Sequence, residues 1–385
     1  MNQNVVYVGI DVDDVSYHGS ALDWHTGEVL DFRCRPTLKG LVGQLAKVSE
    51  YFGGARLKLC YESSYVGFSL QRDLQERSYE CEVVALSSIP RRAGKSVKTD
   101  RIDAADLAEF YANGLLTIVT APDAELEQDR DLLRSRQRLI QQQGDLRRHI
   151  LSLLRRNGLH YKAECDHKTH WRTHHYGWLA RTIEGCSGSL QVNLSLLLRQ
   201  LKNLDEILAT YGEEIEALAV TPRYQEPVKA LTCYKVIKHL FALTMITEIG
   251  DVKRFAHPRQ LVSWVGMDIR EYASGGKSNR LGITRQGNRY LRTAFIEANQ
   301  RGYRSVSISK DVKARRAKSP SEYVAIADRC LRRLNKKGNR LLLAGKHPNK
   351  VKVACAREMV GFVWESLNQA AAGLSNISSV KTVIP

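Results

Sequence analysis

Val5-Val6-Tyr7-Val8-Gly9-Ile10-Asp11 is the stretch that decides how this chain folds. A short, β-branched apolar run that stops on a carboxylate reads as a strand buried in a sheet. Working outward, residues 16–22 and 29–34 flank Asp23-Trp24-His25-Thr26-Gly27, which reads as a hairpin connection. Leu38, Leu41, Leu45 and Val48 then recur at helical spacing within residues 37–52. Residues 57–61 form another apolar strand, ending at Glu62. Residues 64–76 read as a helix, and residues 82–86 as a further core strand before Pro90. A third helix opens in Lys98-Thr99-Asp100-Arg101-Ile102-Asp103-Ala104-Ala105-Asp106-Leu107 and continues through Phe110 and Tyr111.

The order is three strands, helix, strand, helix, strand, helix. It predicts an α/β domain over residues 1–122 on the ribonuclease-H-like (RuvC-like) plan, a mixed sheet covered by helices. In such sheets the chemistry gathers where strands end. Asp11 and Glu62 each follow an apolar strand, and Asp100 and Asp103 stand three residues apart at a helix start, where they share one face. Acidic residues also suit the positive first turn of a helix, so a plain surface role competes with chemistry there. Taken together, four carboxylates from three separated segments are hard oxygen ligands that suit Mg²⁺. Two such ions about 4 Å apart activate an attacking oxygen and stabilise a leaving one. Asp13, Asp14 and Asp106 read as surface or capping acids.

The 385 residues carry a net charge of +17, which favours a polyanionic partner. The excess is one-sided. From Arg223 to the end there are 31 Lys and Arg against 11 Asp and Glu, a net of +20, which leaves −3 for residues 1–222. An acidic front half suits metal chemistry, and a basic back half suits a phosphate backbone. The cysteines at 34, 60, 81, 165, 186, 233, 330 and 355 form no CxxC pair and read as reduced thiols. Met1-Asn2-Gln3-Asn4 lacks the basic start of a signal peptide, and no apolar run reaches membrane-spanning length. The expectation is a cytoplasmic protein that does not engage a membrane.

Residues 123–222 read as helical. Two long amphipathic helices, one through Leu126–Leu154 and one over residues 190–219, suggest an antiparallel coiled-coil hairpin or a dimer arm, a coiled-coil or oligomerisation region. Arg134 and its neighbours on the first helix are a solvated face or a nucleic-acid contact. Between the helices, Cys165, His167, His170, His174 and His175 match no standard zinc spacing, and the segment reads as a polar, nucleic-acid-facing or disordered loop rather than a metal site. Residues 223–385 read as a mainly helical domain. Within it, Arg270-Glu271-Tyr272-Ala273-Ser274-Gly275-Gly276-Lys277-Ser278 reads as a Gly-rich loop with two candidate nucleophilic serines. Arg270, Lys277, Arg280, Arg285, Arg289 and Arg292 surround it and are the candidate nucleic-acid contacts. Residues 335–349 read as a basic turn between two helices, and residues 370–385 as a frayed end.

The chain resembles the RNA-guided transposases of the IS110 insertion-sequence family. The residues that carry the resemblance are Gly9-Ile10-Asp11-Val12, Tyr61-Glu62-Ser63-Ser64 and Lys98 to Ala104 in the front half. In the back half they are Thr247-Glu248-Ile249-Gly250-Asp251, Trp264-Val265-Gly266-Met267, Tyr272 to Lys277, and Gly287-Asn288-Arg289-Tyr290-Leu291-Arg292. The resemblance implies a metal-binding tetrad of Asp11, Glu62, Asp100 and Asp103, and places the nucleophile on Ser274 rather than Ser278. It implies a phosphoserine link to DNA, a structured noncoding RNA that pairs with donor and target DNA, and a homo-oligomer, dimer or tetramer, whose subunits share one active site. No organic cofactor is implied. The chain departs from its relatives at Cys233 to Lys238, which lacks their Gly-x-Gly hairpin, and at Met267-Asp268-Ile269, where relatives often carry a proline. Two other readings remain: a RuvC-like metal-dependent nuclease of the junction-resolvase type without a covalent intermediate, and a non-catalytic nucleic-acid binder.

Overall fold

Residues 4–63, 66–86, 89–90, 100–274, 277–300 and 302–381 are described in a computed structural model, and Lys98, Thr99, Gly275 and Gly276 lie outside them. The chain divides into two units, Met1–Ala124 and Glu125–Pro385.

In the first unit β1 (Val5–Asp11), β2 (Tyr17–Asp23) and β3 (Val29–Cys34) form an antiparallel meander. The Asp23 turn closes as expected: Gly27, at φ +75°, donates its amide to the Asp23 carbonyl at 2.9 Å. α1 (Leu38–Tyr51) is capped by Thr37, whose hydroxyl accepts from the Gly40 amide, and it buries Leu41, Leu45 and Val48 on one face. The chain then returns as β4 (Arg56–Glu62), parallel to β1, and after α2 (Ser69–Gln75) as β5 (Glu80–Val84), parallel to β4. α3 (Asp100–Ala112) follows, and the two-residue β6 (Ile118–Val119) closes a sheet of order β3-β2-β1-β4-β5-β6. Val6, Val8 and Ile10 are fully buried, as a central strand covered on both faces requires. β6 escapes a reading by periodicity because two residues hold no period. Leu86, read as core, stands beyond β5 and is exposed.

The second unit begins with α4 (Ala124–Arg156), which pairs with α7 (Gly188–Ala219). Leu133 shares a core with Ile215 and Ala219, whereas Ile150 and Leu154 share one with Leu194 and Leu201. Gln143 reaches Asp205 midway, at 2.5 Å. Early residues of α4 thus meet late residues of α7, and the pair is an antiparallel hairpin. Its tip holds α5 (Tyr161–Glu164) and α6 (Thr173–Glu184). The histidine-rich segment reads in sequence as a polar loop, and among the described residues no three His, Cys, Asp or Glu side chains are grouped to hold a metal. It is an aromatic core instead: His175 is fully buried, 4.5 Å from the Tyr161 ring and stacked on Trp178 at 5.8 Å.

Burial, with His170 nearby, pulls the His175 imidazole down to about 4. Its Nδ1 accepts from the Trp171 amide, so neutral His175 carries its proton on Nε2. Between about pH 6.5 and 4 the unfolded chain binds a proton there that the folded chain refuses, so stability falls with falling pH in that window. After allowance for solvent screening at the edge of the cluster, we expect a loss of roughly 2 kcal/mol. Denaturant titrations at pH 7 and pH 4.5, read through hydrogen exchange of α6, check this. A His175→Phe protein should lose that part of the pH dependence, and an unchanged profile would refute the assignment.

The rest of the unit is a helical body: α8 (Gln225–Thr232), α9 (His239–Ile249), α10 (Pro258–Trp264), a hairpin of β7 (Ile269–Ser274) and β8 (Lys277–Ile283), α11 (Arg289–Ala298), α12 (Lys310–Ala317), α13 (Ser321–Leu343) and α14 (Pro348–Lys381). The basic stretch expected to turn at 335–349 is mostly helix. Cys330, Leu334 and Gly338 continue one buried face, and a Cβ on Gly338 would lie 2.4 Å from the Tyr303 ring. The end expected to fray runs on as helix to Lys381, and Ala370 is seated in the core. Among the described residues no helix is long and apolar enough to cross a membrane.

Candidate active-site elements

The front-half acids collect by backbone placement. β1 and β4 are parallel with Ile10 opposite Tyr61, so Asp11 and Glu62 are the next residues of two adjacent strands. Both lie on the α3 side of the sheet. Gly9, two residues before Asp11, faces α3, and Cys60, two residues before Glu62, directs its Sγ at the Leu107 carbonyl at 3.8 Å. α3 runs antiparallel to β1: Tyr111 packs edge-on against Tyr7 at 5.5 Å, while Ala104, Leu107 and Ala108 sit over Gly9. The helix start is therefore at the Asp11 end of the strand. Asp103 lies one turn before Leu107 on the same helix face. Asp100 opens α3 about one turn earlier still, and its side chain lies outside the described residues.

All of these donors are oxygens, the chemistry that fits a hard divalent cation. Among the described residues, however, no three acidic, histidine or cysteine side chains come together as a metal-holding group. The structure places the backbones of Asp11, Glu62 and Asp103 at one end of the sheet.

Gly9 is what allows α3 so close. A Cβ there would stand 2.3 Å from the Ala104 carbonyl oxygen and 2.5 Å from the Ala108 nitrogen, both helix backbone. A side chain can rotate away from such a contact and backbone cannot, so the helix must lift. We expect Gly9→Ala to cost about 2–3 kcal/mol. It should also speed hydrogen exchange in α3 more than in β2, and equal protection in the two proteins would contradict the packing argument.

The back-half serine is not on a loop. Ser274 ends β7, paired with Lys277 at the start of β8, and Ala273 pairs with Ser278. Their side chains, with that of Arg280, lie outside the described residues. The Gly-Gly dipeptide between two extended runs is a hairpin signal, and reading it only as a flexible loop missed that. The hairpin grows from a tight backbone crossing. Gly266 and Gly287 adopt φ +74° and +121°, and a Cβ on either would strike backbone oxygen, of Gln286 at 2.4 Å and of Trp264 at 2.2 Å. The Arg285 amide donates to the Gly266 carbonyl at 3.0 Å, and the Asn288 amide to the Trp264 carbonyl at 2.9 Å.

This crossing delivers the arginines. Arg270, Arg285 and Arg289 are exposed, and Arg292 is half-buried, donating to the Val265 carbonyl at 2.8 Å. Burial, then the like charges of Arg285 and Arg289, pull the Arg292 guanidinium below its usual range. Arg289 and Arg292 also stand in the first turns of α11, the positive end of the helix dipole. Cations crowded at a positive helix end call for an anion.

Behind them is a residue whose role the sequence did not disclose. Glu248 on α9 is 2% exposed and receives both arms of Arg134, at 2.7 and 2.9 Å, and the Asn288 amide at 2.6 Å. Arg130 donates twice to the neighbouring Thr247 carbonyl, at 3.1 and 2.8 Å. Arg134, a candidate nucleic-acid contact on spacing alone, is committed to this pair and lies 4.8 Å from the Tyr290 ring centroid. An acid inside the otherwise apolar His239–Ile249 helix was the signal that could have found Glu248.

Comparison with known proteins follows the same division. Residues 8–157 match the model of the DEDD-type IS110 transposases, and residues 228–314 match that of the IS116/IS110/IS902 transposase family. A putative transposase of Sinorhizobium fredii is 29% identical over 373 residues, covering 94% of this chain and 89% of its own. The transposase for insertion sequence element IS1533 of Leptospira borgpetersenii is 28% identical, covering 86% of this chain and 95% of its own. The transposase for insertion sequence element IS1111A of Coxiella burnetii is 29% identical over 63% of this chain and 65% of its own. Two models of one kind of protein thus fall on the acid-bearing front and the serine-bearing back, in the order the motifs stand: the chain belongs to the IS110 (IS116/IS110/IS902) family of insertion-sequence transposases.

Proposed function

We propose that this transposase cuts and rejoins DNA through a phosphoserine on Ser274, on a RuvC-like front domain and in a homo-oligomer guided by a structured RNA. Ser274 Oγ attacks a backbone phosphorus, one ester oxygen leaves, and the serine proton ends on that oxygen. Rejoining is the reverse: a strand hydroxyl attacks the phosphoserine and the serine leaves. The phosphodiester energy is kept, so no nucleotide cofactor is needed. Arg270, Lys277, Arg280, Arg285, Arg289 and Arg292 hold the strand by its phosphates, and charge from Arg285, Arg289 and Arg292 stabilises the crowded phosphorus during attack.

Asp11, Glu62, Asp100 and Asp103 are the residues that would hold Mg²⁺, and all four fall within residues 8–157, the stretch that matches the family model. When bound, the ion supplies charge stabilisation at phosphate oxygens. The chain's own part is to set two of those acids on neighbouring strand ends and two on the helix held over Gly9. The observation that carries the proposal is the hairpin: it sets Ser274 at a strand end in the same structural block as Arg270, Arg285, Arg289 and Arg292, of which Arg285 and Arg289 are close enough to add to burial in lowering the Arg292 guanidinium.

The test is a denaturing gel of labelled DNA carrying the element's ends, incubated with the protein, Mg²⁺ and the element's noncoding RNA. A DNA–protein adduct that survives denaturation and is removed by protease is expected. Free-ended cleavage without an adduct would favour the junction-resolvase reading.

A further inference from the structure

The tip of the helical hairpin holds a cavity of about 160 Å³ that the transposase reading does not use. Its wall is part aliphatic, from Leu151, Leu154 and Leu159, and part aromatic, from Tyr161, His170 and Trp178, and its rim carries the exposed cations Arg155 and Lys162. Tyr161 is 3% exposed, and its hydroxyl is buried with no hydrogen-bond partner. A buried hydroxyl left unpaired is costly, and native folds rarely keep one without a partner to come. The neighbouring acid, Glu164, is already committed: one oxygen accepts from the Trp178 indole at 2.9 Å and the other from the His160 amide at 3.0 Å. Positive charge at the rim is felt inside, because Lys162 and Arg155 add to burial in lowering the His170 imidazole.

We propose that this cavity takes one nucleotide unit of a single-stranded nucleic acid, its base against Tyr161, His170 and Trp178 and its phosphate at Arg155 and Lys162. A cavity near 150 Å³ admits one aromatic ring, and a base entering by its edge leaves sugar and phosphate at the rim. The Tyr161 hydroxyl meets the polar edge of the base, and stacking needs no particular sequence. Duplex bases are not accessible to such a recess, so the ligand is a strand or loop, or a free mononucleotide of the same chemistry. The choice of a strand rests on the transposase reading; the pocket itself does not.

The experiment uses the full chain and three probes: a pyrimidine-rich 12-nucleotide single-stranded RNA, the same sequence as a duplex, and uridine monophosphate, whose base is a single ring. Tyr161→Phe removes only the hydroxyl and should weaken single-strand binding about fivefold. The double substitution Arg155→Ala with Lys162→Ala, both at exposed positions, removes the neutralisation of one phosphate and should lower the salt dependence of single-strand binding by roughly 0.7 in log–log slope. Duplex binding should not change in either protein. If uridine monophosphate shows the Tyr161 dependence and the 12-mer does not, the nucleic-acid assignment is overturned in favour of a free nucleotide. If neither probe depends on these residues, the pocket proposal is wrong. Adduct formation at Ser274 is read separately, so a failed pocket and a failed mechanism give different results.

Discussion

A Ser274→Ala protein is expected to form no covalent link to DNA and to lose strand transfer by about 10³-fold or more, the scale seen when a covalent nucleophile is removed. The substitution deletes one oxygen at the last position of β7, and the backbone pairs of the hairpin stay intact. Folding is therefore expected to be unchanged, and the loss is chemical. Ser278 sits on the partner strand opposite Ala273, so Ser278→Ala is the natural control and should retain the adduct. Asp11→Ala should also abolish the adduct, by a different route, since it removes a proposed metal ligand while leaving the hydroxyl in place. Raising Mg²⁺ cannot rescue the serine variant. An adduct that persists in Ser274→Ala and vanishes only in Asp11→Ala would remove the serine from the mechanism. Binding that is unchanged after all four acids are replaced, with no metal-dependent reaction at any stage, would mark a non-catalytic binder.

Replacing Glu248 by alanine is expected to destabilise the second unit by about 3–4 kcal/mol. The carboxylate is 2% exposed and satisfies three donors, two of them on one guanidinium. Its loss strands the Arg134 charge and the Asn288 amide together. The figure sits at the low end for a broken buried pair, because the Arg134 side chain is 35% exposed and water reaches it. Glu248→Gln keeps the volume and one acceptor, so about half the loss is expected. Adding Arg134→Ala to Glu248→Ala should recover part of the stability, since no unpaired charge remains. Urea unfolding of the four proteins measures the coupling, and a loss under about 1 kcal/mol in Glu248→Ala would show that the pair is not a structural joint.

How much of this was legible in the sequence depends on the range of the interaction. Period and composition are local, so the β1, β4 and α1 segments and the two long helices could be read from apolar spacing. The strand-end position of Asp11 and Glu62 followed from where apolar runs stop. What sets α3 over Gly9 is not local: a missing Cβ nearly a hundred residues away admits the helix, and no window of sequence contains both. The hairpin at Ser274 was legible in principle, since Gly-Gly between extended runs is a turn signal; its glycines and basic neighbours suggested a loop instead. Glu248 and Arg134 lie 114 positions apart, and only the fold reveals that one neutralises the other. The histidines near position 170 read as a polar loop because polar residues crowd there along the chain, but His175 is turned inward to pack among aromatic rings.

Asn288 is bonded at both ends. Its oxygen caps α11 through the Leu291 amide at 2.9 Å, and its nitrogen holds Glu248, which grips the arm helix through Arg134. The arm and the arginine-bearing helix are thereby coupled as parts of one lever. A twist of α4 is therefore expected to carry α11 with it through three side chains rather than through the loops between them.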